Sequence, residues 1–444
     1  MRTRGKQRLR SLSVASASLG LLLVGLSAAP AQAVPSTRQW HLDAMQASTM
    51  WKTSTGRGIT VALIDSGVDS SLPDLKGQVL DGADYSNRRG DEHTDLDDHG
   101  TAMASIIAGV GAIRPQTGAS GLAPDAKILP IRMLAAGETA GSLDGGSQYS
   151  QALTRAIRYA ADSQAQIINM SLGLSDSPGR HDVETPELKA AVRYAHSKGK
   201  LLFAAVGNSA QRGNYVQYPA ATPGVVGIGA ADEHARAAEF SQQGPEVDMV
   251  APGVNIVHSC TEGAKICVSR GTSDASAIAS ASAALIWSAH PDWTNNQVLR
   301  VMLETLAKPQ DGSKRNDIVG YGGIRPRLAF TKSVDPGPAD EYPLPDLAAA
   351  DAKSPSPKPP KPTAPAKHEN AAAKSSDEGN TLLWTGAGIA AALLIGTGIT
   401  LAVLRSRRRT AAAAPPPPAY PPYVPAQGPY HPSADSQHRT EQNP

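Results

Sequence analysis

The stretch Val61-Ala62-Leu63-Ile64-Asp65-Ser66-Gly67-Val68 is a short aliphatic run that stops at a carboxylate and a glycine turn. A run this short, apolar on both faces, reads as a buried strand of a parallel sheet. Comparable runs at 127–133, 167–170, 200–206 and 225–229 alternate with helical patterns at 101–108, 150–163 and 186–198. That alternation predicts an α/β architecture of three layers, a mostly parallel sheet between helices. The run 272–289 is dominated by Ala, Ser and Ile, with Asp274 its sole charge, and predicts a helix buried on every side. An amphipathic helix follows at 295–306, and the packed chain is expected to end near Ser333.

Around this domain the composition divides the chain. Of 444 residues, 41% are hydrophobic, enough for a core, whereas aromatics at 4% and 35 prolines require regions that do not pack. Lys and Arg total 42 against 40 Asp and Glu, a net charge of +2 that gives no electrostatic case for nucleic acid. Residues 1–33 combine Arg2, Arg4, Lys6, Arg8 and Arg10 with a leucine-rich run and Ala31-Gln32-Ala33, the pattern of a signal peptide cut after Ala33. Residues 34–333 form the expected domain, and 334–380 are a Pro/Ala/Lys-rich extracellular linker containing Lys358-Pro359-Pro360-Lys361-Pro362.

The uncharged segment 381–404 would span roughly 36 Å as a helix, more than a hydrocarbon core of about 30 Å, and is expected to cross a membrane once. Arg405, Arg407, Arg408 and Arg409 follow it and place the Pro-rich tail 405–444 in the cytoplasm. The domain then faces outward on the cell membrane. The two cysteines, Cys260 and Cys267, are expected to be oxidised there to a disulfide that fixes a local hairpin and contributes roughly 2 to 3 kcal/mol.

Several polar residues sit where such a fold gathers its chemistry. Asp65 ends a strand, and functional groups collect at strand carboxyl ends. Asp97-Asp98-His99-Gly100-Thr101 opens a helix and offers a base near neutral pH. Gly271-Thr272-Ser273 precedes the buried helix, so Ser273 lies where backbone dipoles favour negative charge. Ala205-Val206-Gly207-Asn208 runs from a strand into an amide side chain. His93, His181 and the other scattered histidines read as surface residues.

Taken together, Asp65, His99, Ser273, the Asn208 motif and Ser171-Leu172-Gly173 stand in the order found in subtilisin-like serine peptidases, which the segment 39–330 resembles. The resemblance implies that Asp65 orients His99, that His99 takes the proton of Ser273, and that Asn208 with the Ser273 N–H stabilises an oxyanion. It further implies that Ser171, Leu172 and Gly173 on one side, and Ala205, Val206 and Gly207 on the other, flank the specificity pocket and hold an extended peptide. No cofactor is required for this chemistry. Whether structural calcium binds, and any metal ligand set, are left open by the sequence.

Two departures bear on activity. Ala277 and Ala281 replace the family's usual Pro and Gly after the nucleophile, changing how the helix begins, and Asp274 puts a carboxylate beside a developing oxyanion. Signal, peptidase domain, linker, single span and basic tail together resemble the mycosins, membrane-anchored subtilases of actinobacterial type VII secretion. The implied function is an outward-facing serine endopeptidase acting on secreted or envelope polypeptides, with secretion-complex components as partners. The rival expectation is a weakly active or inactive subtilase-fold scaffold stabilising such a complex.

Overall fold

The computed structural model describes residues 39–111, 119–134, 145–176, 183–261 and 265–353. The expected signal peptide, the membrane span 381–404 and the tail 405–444 lie outside them. Among the described residues no helix is long and apolar enough to cross a membrane.

The strands are β1 (Thr60–Asp65), β2 (Ala83–Asp84), β3 (Lys127–Arg132), β4 (Ile167–Met170), β5 (Leu174–Ser175) and β6 (Leu201–Ala205). They continue as β7 (Gln217–Tyr218), β8 (Val226–Ala231), β9 (Met249–Pro252), β10 (Ile256–Cys260) and β11 (Lys265–Ser269). The α-helices are α1 (Trp40–Met45), α2 (Ala47–Met50), α3 (His99–Ala108), α4 (Gly145–Asp162), α5 (Pro186–Ser197), α6 (Thr272–Ala289), α7 (Asn295–Glu304), α8 (Arg327–Thr331) and α9 (Pro345–Lys353).

Seven strands form one parallel sheet in the order β2-β3-β1-β4-β6-β8-β9. Side chains alternate across a strand, so Val61 and Leu63 enter a core with α3, α6 and α7, while Ala62 and Ile64 enter one with α4 and α5. Burial on both faces is why the central strands read as continuous apolar runs. The helix starts are locally encoded: Thr185 Oγ1 accepts from Leu188 N–H ahead of Pro186, and Thr294 with Gln297 forms a reciprocal capping box. The chain leaves β1 for β3 on one side and later places β4 on the other. The crevice at the carboxyl ends of β1 and β4 is therefore a switch point, the preferred place for a site.

The hairpin of β10 and β11 carries the Cys260–Cys267 disulfide. Strands β2 and β9 were not expected; one is two residues long and the other ends in Pro252, so neither shows a periodic pattern. The segment 334–353, expected within the linker, instead packs on the domain. Arg300 donates to the carbonyls of Pro336, Pro338 and Glu341, Leu344 is buried, and Asp346 accepts from Gly224 N–H at 2.6 Å. The reason is that a proline-rich segment, extended up to the short helix α9, still offers carbonyl acceptors and isolated apolar anchors to a partner surface. The linker boundary thus moves beyond 353; the remainder of the expected linker is outside the described residues.

Candidate active site

Strand β1 delivers Asp65, 2% exposed, to the crevice. Its Oδ1 accepts from His99 Nδ1–H at 2.7 Å and from Ser66 N–H at 2.8 Å, while Oδ2 is buried with no partner among the described residues. Because a carboxylate only accepts, this contact fixes the imidazole proton on Nδ1 and leaves Nε2 for other chemistry. Asp98 turns in the left-handed region, φ 62°, so that His99 begins α3. Gly100 permits the approach: a Cβ there would lie 2.1 Å from the Gly67 carbonyl oxygen.

Two residues that sequence reasoning passed over hold this wall. Asp95 accepts from Ser66 Oγ at 2.8 Å, Thr101 N–H at 2.8 Å and Thr101 Oγ1 at 2.6 Å, stapling the Asp65 turn to the start of α3. Arg132, in register with Asp65 on the neighbouring strand, is only 1% exposed. It donates to the Asp84 carboxylate and to the carbonyls of Arg89 and Asp91, and so organises the loop that leads to Asp95. The acidic run before His99 was a visible signal for Asp95. Arg132 offered none, since it looked like the polar end of a strand.

Ser273 is the second residue of α6. Its Oγ donates to the Ser171 carbonyl at 2.9 Å, and Ser171 Oγ donates back to the Ser273 carbonyl at 2.9 Å. Behind them Asn169 donates to Ser171 Oγ and accepts from Ser276 Oγ and Ser280 Oγ, each at 2.9 Å. Among the described residues no hydrogen bond joins Ser273 to His99. Helix α6 runs unbroken through Ala277 and Ala281, as Ala, the strongest helix former, allows.

Asn208 follows β6 and is exposed. Its Oδ1 accepts from Thr272 N–H at 2.8 Å and Thr272 Oγ1 at 3.1 Å, which turns the amide so that Nδ2 remains as its donor, close to Gly271 at the start of α6. The two backbone runs differ. Val206 N–H donates to the Ile228 carbonyl, Gly207 N–H to Thr272 Oγ1, and the Gly207 carbonyl accepts from Gln242 N–H. Segment 205–207 thus spends the Val206 and Gly207 N–H groups and the Gly207 carbonyl within the fold. Ser171 is buried, whereas Leu172 and Gly173 are partly exposed and lie before β5.

Protonation distinguishes His99. Burial lowers its pKa, but the Asp65 charge and hydrogen bond, with the charges of Asp274 and Asp95, outweigh that and hold it at about 9. Asp274, 2% exposed, accepts from Ser269 Oγ; burial raises its carboxyl pKa, opposed by that bond and by the charges of His258 and His99. Burial likewise raises Asp95, against its bonds from Thr101 and Ser66.

With this geometry in view, comparison with known proteins is specific. A model of the Subtilase family matches residues 56–322, more than half of the chain. The chain is 38% identical over 282 residues to the thermophilic serine proteinase of Bacillus sp. (strain AK1), covering 63% of this chain and 64% of that protein. It thus spans less than two thirds of the length of that curated relative. The crystal structure of MycP1 from Mycobacterium smegmatis aligns with TM-score 0.59 at 27% identity, covering 68% of this chain and 87% of that one. A chain of the periplasmic assembly from the ESX-5 inner membrane complex aligns with TM-score 0.58 at 26% identity, covering 76% and 90%.

Proposed function

Because the chain belongs to the subtilase family, we propose that it is a serine endopeptidase whose triad is Asp65, His99 and Ser273. The observation that carries this reading is the 2.7 Å contact of buried Asp65 with His99 Nδ1, in the crevice that also receives Ser273 from α6. In the reaction Ser273 Oγ leaves the Ser171 carbonyl, gives its proton to His99 Nε2 and attacks the scissile carbonyl carbon. Asn208 Nδ2 and the Ser273 N–H face the oxygen that gains charge. The tetrahedral intermediate collapses as His99 returns the proton to the leaving amine, and water then releases the acyl group by the same steps. Leu172 and Gly173 receive the peptide backbone as an added strand, while 205–207 form the opposite pocket wall. No cofactor takes part in these steps.

We further propose that the domain is anchored by 381–404, faces outward, and acts on polypeptides at a type VII secretion system. The basic residues after 381–404 support the orientation. The likeness to MycP1, described as from the ESX-1 type VII secretion system, supports the setting. One observation favours the second reading, a weakly active scaffold. The charges of Asp65, Asp274 and Asp95 hold the His99 pKa up at about 9, which favours the protonated ring at pH 7, and a protonated imidazole is no base.

A membrane-impermeant fluorophosphonate probe on intact cells tests both levels. Wild type is expected to label and to fractionate with membranes, whereas Ser273→Ala and His99→Ala remain unlabelled. Labelling only after cell disruption removes the outward orientation. Absence of labelling in a folded wild type at pH 7 and at pH 9 removes the peptidase and leaves the scaffold.

A further inference from the structure

We propose that Asp81, Glu92 and His93 form a divalent-metal site of the zinc class, outside the peptidase centre and joined to it through the loop that leads to Asp95. Among the described residues, one ligand atom from each of these three lies within 4.8 Å of the others. His93 Nε2 stands 3.6 Å from Asp81 Oδ1 and 3.7 Å from Glu92 Oε1. Both distances are too long for a hydrogen bond, which needs about 3.2 Å or less. They are close to the edge of a tetrahedron around zinc, about 3.4 Å for metal–ligand bonds of about 2.1 Å. His93 Nε2 thus stands within ion-pairing reach of both carboxylates, at separations that a shared metal ion would also impose.

The donor set selects the ion. An imidazole nitrogen beside two carboxylates suits zinc and its transition-metal neighbours, whereas calcium and magnesium take oxygen ligands alone. Three protein ligands on an exposed surface leave the fourth position to solvent, as in open zinc sites. Glu92 Oε1 is already oriented by the Gly82 N–H at 3.0 Å, the supporting bond that ligating carboxylates need. The ring faces both carboxylates with Nε2, while Nδ1 is turned into the protein.

The connection to the peptidase centre is short and runs through hydrogen bonds of the same loop. The Glu92 carbonyl accepts from Val68 N–H, just after the Asp65 turn, and the Asp91 carbonyl accepts from Arg132. An ion bridging Asp81 to Glu92 and His93 would therefore clamp the loop that positions Asp95 and, through it, the start of α3.

Isothermal titration of the detergent-solubilised full chain with zinc chloride tests the site, using wild type, Asp81→Asn and His93→Ala. One saturable equivalent is expected in wild type, weakened at least about tenfold in each variant. Asp81 has a fully exposed side chain, so its variant keeps the fold even if His93→Ala does not; melting in chelator verifies this. A zinc-dependent rise in melting temperature in wild type, absent from Asp81→Asn, is the second expected readout. No saturable zinc binding by wild type, or undiminished affinity in folded Asp81→Asn, overturns the proposal.

Discussion

On the β1–α3 side of the crevice, Asp65, Asp95 and Arg132 position His99 with charges, each buried or partly buried and hydrogen-bonded. On the β4–α6 side, Asn169, Ser171, Ser276 and Ser280 hold Ser273 through neutral donors and acceptors. The contrast separates two tasks. Charges near the base set how readily it takes a proton, because Coulomb energies act over several ångströms in a poorly screened crevice. A neutral network fixes the nucleophile without adding a field at the atom where negative charge develops. Asp274 is the exception: it belongs to the nucleophile helix by position but acts on the base by charge.

Breaking the charged wall at its centre is expected to have the largest effect. Asp65→Asn should lower kcat by about 10⁴ with little change in KM, the size found when this residue is altered in other serine peptidases. An active-site titration alongside the steady-state assay checks it; a loss below tenfold means that Asp65 does not orient His99.

Breaking the neutral wall tests stability first. Asn169→Ala strips buried Ser171, Ser276 and Ser280 of a shared partner and should cost about 3 kcal/mol in denaturant unfolding. Serines on a helix recover part of this by bonding to the preceding turn, so Ser276 and Ser280 soften the loss while Ser171 does not. A cost within 0.5 kcal/mol, in the ordinary range of surface changes, makes the network dispensable.

The smallest change sharpens the comparison where the walls meet. His99 must be neutral to accept a proton, so kcat/KM in wild type should rise with pH until about 9. Removing a negative neighbour disfavours the imidazolium and lowers the pKa. Asp274→Asn should therefore move the acid limb of the profile to lower pH and raise turnover at pH 7. An unmoved limb would show that Asp274 does not act on His99.

Much of this architecture was legible before any coordinates. The parallel core strands, the buried helix α6 and the places of Asp65, His99, Ser273 and Asn208 follow from patterns within a few residues, such as an aliphatic run ending in Asp65 or the charge-free stretch 275–289. Local periodicity decides these features because secondary structure and burial are set by short-range spacing. The docking of 334–353 was hidden, since its carbonyls are anchored by Arg300 and Asp346 meets Gly224 far away in the chain.

What the sequence by itself determined is which residue types stand at strand ends and helix starts. Tertiary structure alone decided how they are set: the Ser273 hydroxyl turned to Ser171, the Asn208 amide oriented by Thr272, and His99 raised to a pKa of about 9. The physical reason is that orientation and protonation depend on groups summed through space. Asp65, Asp95 and Asp274 reach one imidazole from three separate segments, and no spacing along the chain reports their distances.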